Sequence, residues 1–193
     1  MARQPRRLSP SGAVWSLVVT GRYNRAMSSH AHRAAAPGEI RCAILTVSDT
    51  RTEATDTSGQ ALVSLLEQAG HRVVARRLVR DEPADVRAIV DAWLDDEQVQ
   101  AVITTGGTGI GRRDSTYEAL VTLLDRQLQG FGELFRMLSY QEIGAAAMLS
   151  RACAGVARGR VLVLLPGSEH AVRLAMTKLV VPELGHVVRE ISR

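Results

Sequence analysis

From Ile40 onward, short apolar runs alternate with stretches whose apolar residues recur at helical spacing. Residues 42–47 (CAILTV) form an almost unbroken apolar run, the pattern of a strand covered on both faces. A polar, turn-rich stretch follows. Thr57 or Ser58 is then placed to cap a helix over 59–69, with Ala61, Leu62, Leu65, Leu66 and Ala69 on one face. Gly70 ends it. Residues 71–79 read as a second strand. Glu82-Pro83 opens the next helix, with proline in the first turn and Val86, Ile89, Val90, Trp93 and Leu94 as its stripe.

Residues 101–105 (AVITT) predict a third strand, which feeds a loop with four glycines in the six residues 106–111. Ser115 or Thr116 can cap a helix over 117–125. Residues 130–140 also look helical, through Phe131, Leu134, Phe135 and Leu138. Residues 152–156 and 160–165 are two short strands around Ala157-Arg158-Gly159, a predicted hairpin. Pro166-Gly167 makes a turn, and Ser168 caps a helix carrying Ala171, Val172, Leu174, Ala175 and Leu179. Pro182 is expected to divide that helix from the last one, 183–191.

Strands alternating with helices imply a three-layer αβα sandwich on a mostly parallel sheet, with a late antiparallel hairpin. Ligands of such sheets sit beyond the carboxyl ends of the strands. The loops 48–58, 106–115 and 166–168 should emerge there, bringing Asp49, Asp56, the glycines, Asp114 and Ser168 to one rim.

Composition narrows the class. A chain of 193 residues that is 46% hydrophobic fits one globular domain with a sizeable core. It has no apolar run of membrane-spanning length, about 18 residues. Aromatic residues make up 4%, which argues against nucleic-acid modules built on base stacking. The net charge of +4 is unevenly placed. Residues 1–38 hold six of the 24 Lys and Arg and none of the 20 Asp and Glu, so the remainder, 39–193, is slightly acidic. The basic balance therefore gives no reason to expect nucleic-acid binding. Residues 1–38 are expected to be a disordered basic extension, with Met27 a possible true start, and 39–193 the functional domain. Cys42 and Cys153 lie in apolar runs and read as buried free thiols of a cytoplasmic protein.

The glycine loop, TTGGTGIGRRDST (104–116), has the order strand, glycines, helix that lets backbone N–H groups face an anion. A purely structural turn is the alternative. Arg112-Arg113 stand where a P-loop carries Lys-Ser/Thr, and the spacing does not match the dinucleotide G-x-G-x-x-G pattern. Asp49, two residues past a buried strand, is a turn residue or a ligand. Asp114 is a helix cap or a ligand. Together they could hold Mg²⁺ beside a phosphate, with Arg112 or Arg113 clamping the phosphate or standing in solvent. His71, His170 and His186 lack ligand spacing for zinc, and no G-x-S-x-G elbow or activated cysteine pair is evident.

Five stretches in order, ILTVSDTRT (44–52), DTSGQ (56–60), the glycine loop, GFGELFRMLSYQEIG (130–144) and LPGS (165–168), closely resemble the MoaB/Mog family of molybdenum cofactor biosynthesis proteins. The resemblance covers about residues 41–191. It implies an αβα fold assembled as a homo-trimer or homo-hexamer, and Mg-ATP-dependent adenylylation of molybdopterin with release of pyrophosphate. The product would pass to a molybdate-inserting enzyme. It further implies that Thr105, Gly106, Gly107, Thr108 and Gly109 hold nucleotide phosphates. Asp49 and Asp114 would position Mg²⁺ and the reacting groups. Asp56, Ser58 and Gly59 would form a second rim segment, and Pro166, Gly167 and Ser168 the pterin-phosphate side. The 130–144 run, the PGS turn and Tyr117 look closer to the MoaB branch than to the Mog branch. A non-catalytic molybdopterin-binding or scaffold homologue is the alternative that the resemblance leaves open.

Overall fold

The computed structural model describes residues 38–111 and 114–193; the expectations for the N-terminal extension and for Arg112 and Arg113 fall outside the described residues. The strands are β1 (Arg41–Val47), β2 (Arg72–Val79), β3 (Ala101–Thr105), β4 (Arg126–Gln127), β5 (Cys153–Ala157) and β6 (Arg160–Leu165). The helices are α1 (Thr57–Gln68), α2 (Pro83–Asp95), α3 (Thr116–Val121), α4 (Gln129–Ile143), α5 (Glu169–Ala175) and α6 (Val181–Ile191). A 3₁₀ segment, Gly144–Leu149, follows α4.

The strands form one sheet in the order β2-β1-β3-β6-β5-β4. The first four positions in that order pair in parallel, and β5 runs antiparallel to both β6 and β4. Helices cover both faces. On β1, Cys42 and Ile44 join one buried cluster with Leu62 and Leu66 of α1, Phe135 of α4, Val172 of α5 and Val188 of α6. Ala43, Leu45 and Val47 join the other, with Val86, Val90 and Leu94 of α2 and Leu120 of α3. Successive side chains of a strand point to opposite faces, so a strand covered twice must be apolar at nearly every position. This is why the 42–47 run lacks alternation. Each Leu or Ile fully buried this way contributes about 1.5–3 kcal/mol.

Four local expectations are corrected. The cap of α1 is Asp56, not Thr57 or Ser58: its Oδ1 accepts the Gly59 N–H at 2.9 Å. Helix α3 stops at Val121, short of 125, because the Asp125 N–H donates to Val156 O at 2.8 Å and draws the chain into the edge strand β4. Helix α4 runs past Tyr140 to Ile143 before the 3₁₀ segment. Pro182 does not divide two helices. A π-turn over Met176–Val180 links α5 to α6, and its wider pairing lets the helix pass a residue that has no N–H to give. The hairpin is as expected, with Arg158 at φ 48° and Gly159 at φ 72° in the turn.

Candidate functional site

Register places the carboxyl ends of four parallel strands on one edge. Val47 pairs with Val79, Thr46 with Thr105, and Thr105 with Leu165. The chain leaves β1 for β2 on one side and then crosses to β3 on the other, so the switch point of the sheet lies between β1 and β3, where crevices open in such folds. The glycine loop begins there. Gly106 adopts φ 100°, and a Cβ on it would lie 2.0 Å from Val47 O. Gly107 adopts φ 63°, and a Cβ there would lie 2.1 Å from Thr116 Oγ1 and 2.5 Å from Asp81 Oδ2. Only glycine permits both the left-handed backbone and the close approach.

Over this edge lies a cavity of about 640 Å³, lined by Asp49, Asp81 and Asp114, by Gly106–Gly109, and by Pro166, Gly167 and Ser168. Its opposite wall is Phe135, Ser139 and Ile143 of α4 with Ala146, Ala147 and Leu149 of the 3₁₀ segment. Asp49 and Asp81 each stand two residues past the end of paired neighbouring strands, and Asp49 Oδ1 accepts the Asp81 N–H at 3.2 Å. Asp81 is only 8% exposed; its Oδ1 accepts the hydroxyls of Ser115 at 3.0 Å and Thr116 at 3.1 Å. Asp114 does not cap α3. Its Oδ2 accepts the Gly111 N–H at 2.8 Å, while its own N–H donates to Gly111 O at 3.0 Å. The backbone N–H groups of Gly107, Thr108, Gly109 and Ile110 find no acceptor among the described residues. Three of these donors, on Gly107, Thr108 and Gly109, belong to residues that line the cavity, an arrangement able to cradle an anion.

The sequence-predicted site residues divide into two groups. Asp49, Asp114, Gly106, Gly107, Thr108, Gly109, Pro166, Gly167 and Ser168 line the cavity. Ser168 Oγ also caps α5 by accepting the Ala171 N–H at 3.2 Å. Thr105 is fully buried beneath the loop, and its Oγ1 donates to Pro166 O at 2.8 Å, tying the two loops together. Asp56, Ser58 and Gly59 come together but do not line the cavity. Asp56 is 0% exposed and spends its oxygens on Arg76 at 2.8 Å, Thr46 at 2.8 Å and the Gly59 N–H. Burial pushes its carboxyl up, but the Arg76 hydrogen bond, the Gly59 N–H and the Thr46 hydroxyl outweigh this and hold it below its ordinary value.

Asp81, Arg51 and Arg151 were not anticipated from sequence. Asp81 was findable: it follows β2 at the same offset at which Asp49 follows β1. Arg51 lines the cavity beside buried Ser58 and lies 3.6 Å from Asp56. No local signal points to Arg151, whose partners lie 33 to 43 residues earlier. His170 is an exposed helix residue facing Glu142 at 3.1 Å. Both cysteines are free and buried, and burial pushes the thiols of Cys42 and Cys153 up to about 12 and about 11, far from nucleophilic thiolates.

Among the described residues, no three His, Cys, Asp or Glu side chains converge as a closed metal cage. The cavity offers carboxylate oxygens. That donor set fits Mg²⁺, which takes one or two carboxylates and fills its remaining positions with water and phosphate. No helix among the described residues is long and apolar enough to cross a membrane.

Residues 43–186 match the family model described as "Probable molybdopterin binding domain". A molybdenum cofactor biosynthesis protein B from Bacillus cereus is 52% identical over 168 residues, spanning 86% of this chain and 99% of that protein. A crystal structure of a molybdenum cofactor biosynthesis protein B is 53% identical with a TM-score of 0.79, covering 82% of this chain and 99% of that one. The tungsten cofactor synthesizing protein MoaB from Pyrococcus furiosus is 34% identical with a TM-score of 0.74, covering 82% and 100%.

Proposed function

Because the chain belongs to the MoaB/Mog family of molybdenum cofactor biosynthesis proteins, we propose that it transfers the adenylyl group of Mg-ATP to molybdopterin. The terminal phosphate oxygen of molybdopterin attacks the α-phosphorus of ATP. The bond from that phosphorus to the bridging oxygen breaks, and pyrophosphate leaves. Such transfers depend on positioning and charge stabilisation rather than on a protein nucleophile. The inert thiols at Cys42 and Cys153 are consistent with that.

The observation that carries this reading is the run of N–H donors from Gly107 to Gly109, which have no acceptor among the described residues and belong to the lining of a cavity that three carboxylates share. In this proposal the donors hold the nucleotide phosphates. Asp49 and Asp114 hold Mg²⁺, which when bound neutralises charge on the phosphates. Asp81, kept in place by Ser115 and Thr116, completes the carboxylate set. The Ser168 hydroxyl accepts from Ala171 and so keeps its own proton to donate into the cavity, on the pterin-phosphate side. Phe135, Ile143 and Leu149 offer an apolar wall for the pterin. Assembly as a homo-trimer or homo-hexamer and transfer of the product to a molybdate-inserting enzyme belong to the same proposal.

The test is an adenylylation assay with molybdopterin, ATP and Mg²⁺, run beside Asp49→Asn, Asp81→Asn and Asp114→Asn. Adenylyl-molybdopterin should form with the unaltered chain. Each variant should lose about 3–4 kcal/mol of transition-state stabilisation, the scale of removing one preorganised charge-stabilising group. Absence of product from well-folded protein rejects the reading, and full activity in all three variants rejects the carboxylate roles.

A further inference from the structure

We propose that Arg151, which enters β5, is a positioning residue that sets the glycine loop in its anion-binding conformation. Its Nε donates to Thr108 O at 3.0 Å, and its Nη2 donates to Gly109 O and, at 3.1 Å, to Asp114 O. Its Nη1 pairs with Glu118, and the guanidinium lies 4.8 Å from the centre of the Tyr117 ring. One side chain thus joins Thr108, Gly109 and Asp114 of the loop to the first turn of α3.

The consequence follows from the peptide group. In a trans peptide the C=O and the next N–H point in opposite directions. Turning Thr108 O and Gly109 O towards Arg151 therefore turns the Gly109 and Ile110 N–H groups away from it. These are two of the four donors that lack an acceptor among the described residues. Arg151 does not act as a phosphate clamp. All three of its nitrogens are committed to protein acceptors, and it is not among the cavity-lining residues. Its effect on a bound anion passes through the loop. Lysine substitutes only in part, because a single ammonium cannot span all the carbonyls that the planar fork reaches together.

This inference rests on reading the cavity as a nucleotide site, so the experiment has two independent readouts on the full chain. Arg151→Ala and Arg151→Lys are compared with Glu118→Gln, which removes only the outer arm of the network. Circular dichroism confirms folding; if Arg151→Ala does not fold, Arg151→Lys carries the comparison. Calorimetric titration with Mg-ATP should show affinity weakened about tenfold or more in Arg151→Ala and less in Arg151→Lys, with the KM for ATP rising in parallel and kcat changing little. Glu118→Gln should match the unaltered chain. Backbone NMR should show shifted resonances at Gly109 and Ile110 in Arg151→Ala. Unchanged affinity and KM in a folded Arg151→Ala overturns the proposal. If the unaltered chain binds no ATP, the nucleotide reading fails by itself. The NMR comparison then decides for Arg151: shifted loop amides support it, and unshifted ones overturn it.

Discussion

At the scale of single residues, the two carboxylates of the 48–58 loop have opposite fates. Asp49 lines the cavity, whereas Asp56 does not and is buried between Arg76, Thr46 and the start of α1. Asp56→Asn leaves a buried oxygen in place but removes the charge that Arg76 and the Gly59 N–H use. A loss of about 1–3 kcal/mol is expected, moderated because Arg76 itself is partly exposed. The pH dependence has a definite sign. The Asp56 carboxyl is held below its ordinary 3.8 in the folded chain. Its contribution is therefore complete above the unfolded value and is lost as pH falls through the folded one. Urea titrations of the two proteins should differ by a constant amount from neutral pH down to about pH 5 and converge below the ordinary carboxylate value. Gly107→Ala acts differently, driving a Cβ at φ 63° into Thr116 and Asp81. It should cost about 1–3 kcal/mol in the same titration and abolish calorimetric binding of Mg-ATP. The sequence made Asp56 conspicuous without revealing its job. A loop carboxylate looks the same on paper whether it faces solvent or a guanidinium 20 residues away.

At the scale of elements, what was legible depended on length and on how locally each signal is encoded. Strands β1, β3 and β6 were legible because burial on both faces demands continuous apolar runs. The Ser168 cap was legible because a serine after Pro-Gly and before an apolar helix has one obvious use. Ser168→Ala should destabilise the chain by about 1 kcal/mol in urea, and Ser168→Asn should recover most of the loss by restoring an acceptor for the Ala171 N–H. If Ser168→Asn is no better than Ser168→Ala, the cap is not what the hydroxyl supplies. Strand β4 was illegible: two exposed residues carry no periodicity, and only the β5 edge defines them. The π-turn was hidden by the usual meaning of proline, since nothing local says that the preceding turn will widen to accommodate Pro182.

At the scale of the molecule, the sheet order makes a single crevice collect loops from β1, β2, β3 and β6. The convergence was largely predictable from the strand-helix alternation; the offset of Asp81 after β2 hinted at a fourth loop, and the Val47–Val79 register places it beside Asp49. The result is a cavity whose charged lining, among the described residues, is three carboxylates against Arg51. A free triphosphate brought into that field meets like charge, which the N–H donors of the cradle only partly offset. A divalent cation shared between phosphate and carboxylate removes the conflict. Mg-ATP, but not ATP with excess EDTA, should therefore stabilise the chain against heat. At a concentration of about 100 times its dissociation constant, the linkage is worth about 2.7 kcal/mol. For a chain of this size that corresponds to a rise of about 5–10 °C in melting midpoint. Asp114→Asn and Asp49→Asn should reduce the Mg-dependent part of the rise while leaving the ligand-free midpoint nearly in place. An equal rise with ATP in EDTA would instead mean that the cradle and Arg51 balance the phosphates unaided, and that the carboxylates serve the loops rather than a metal.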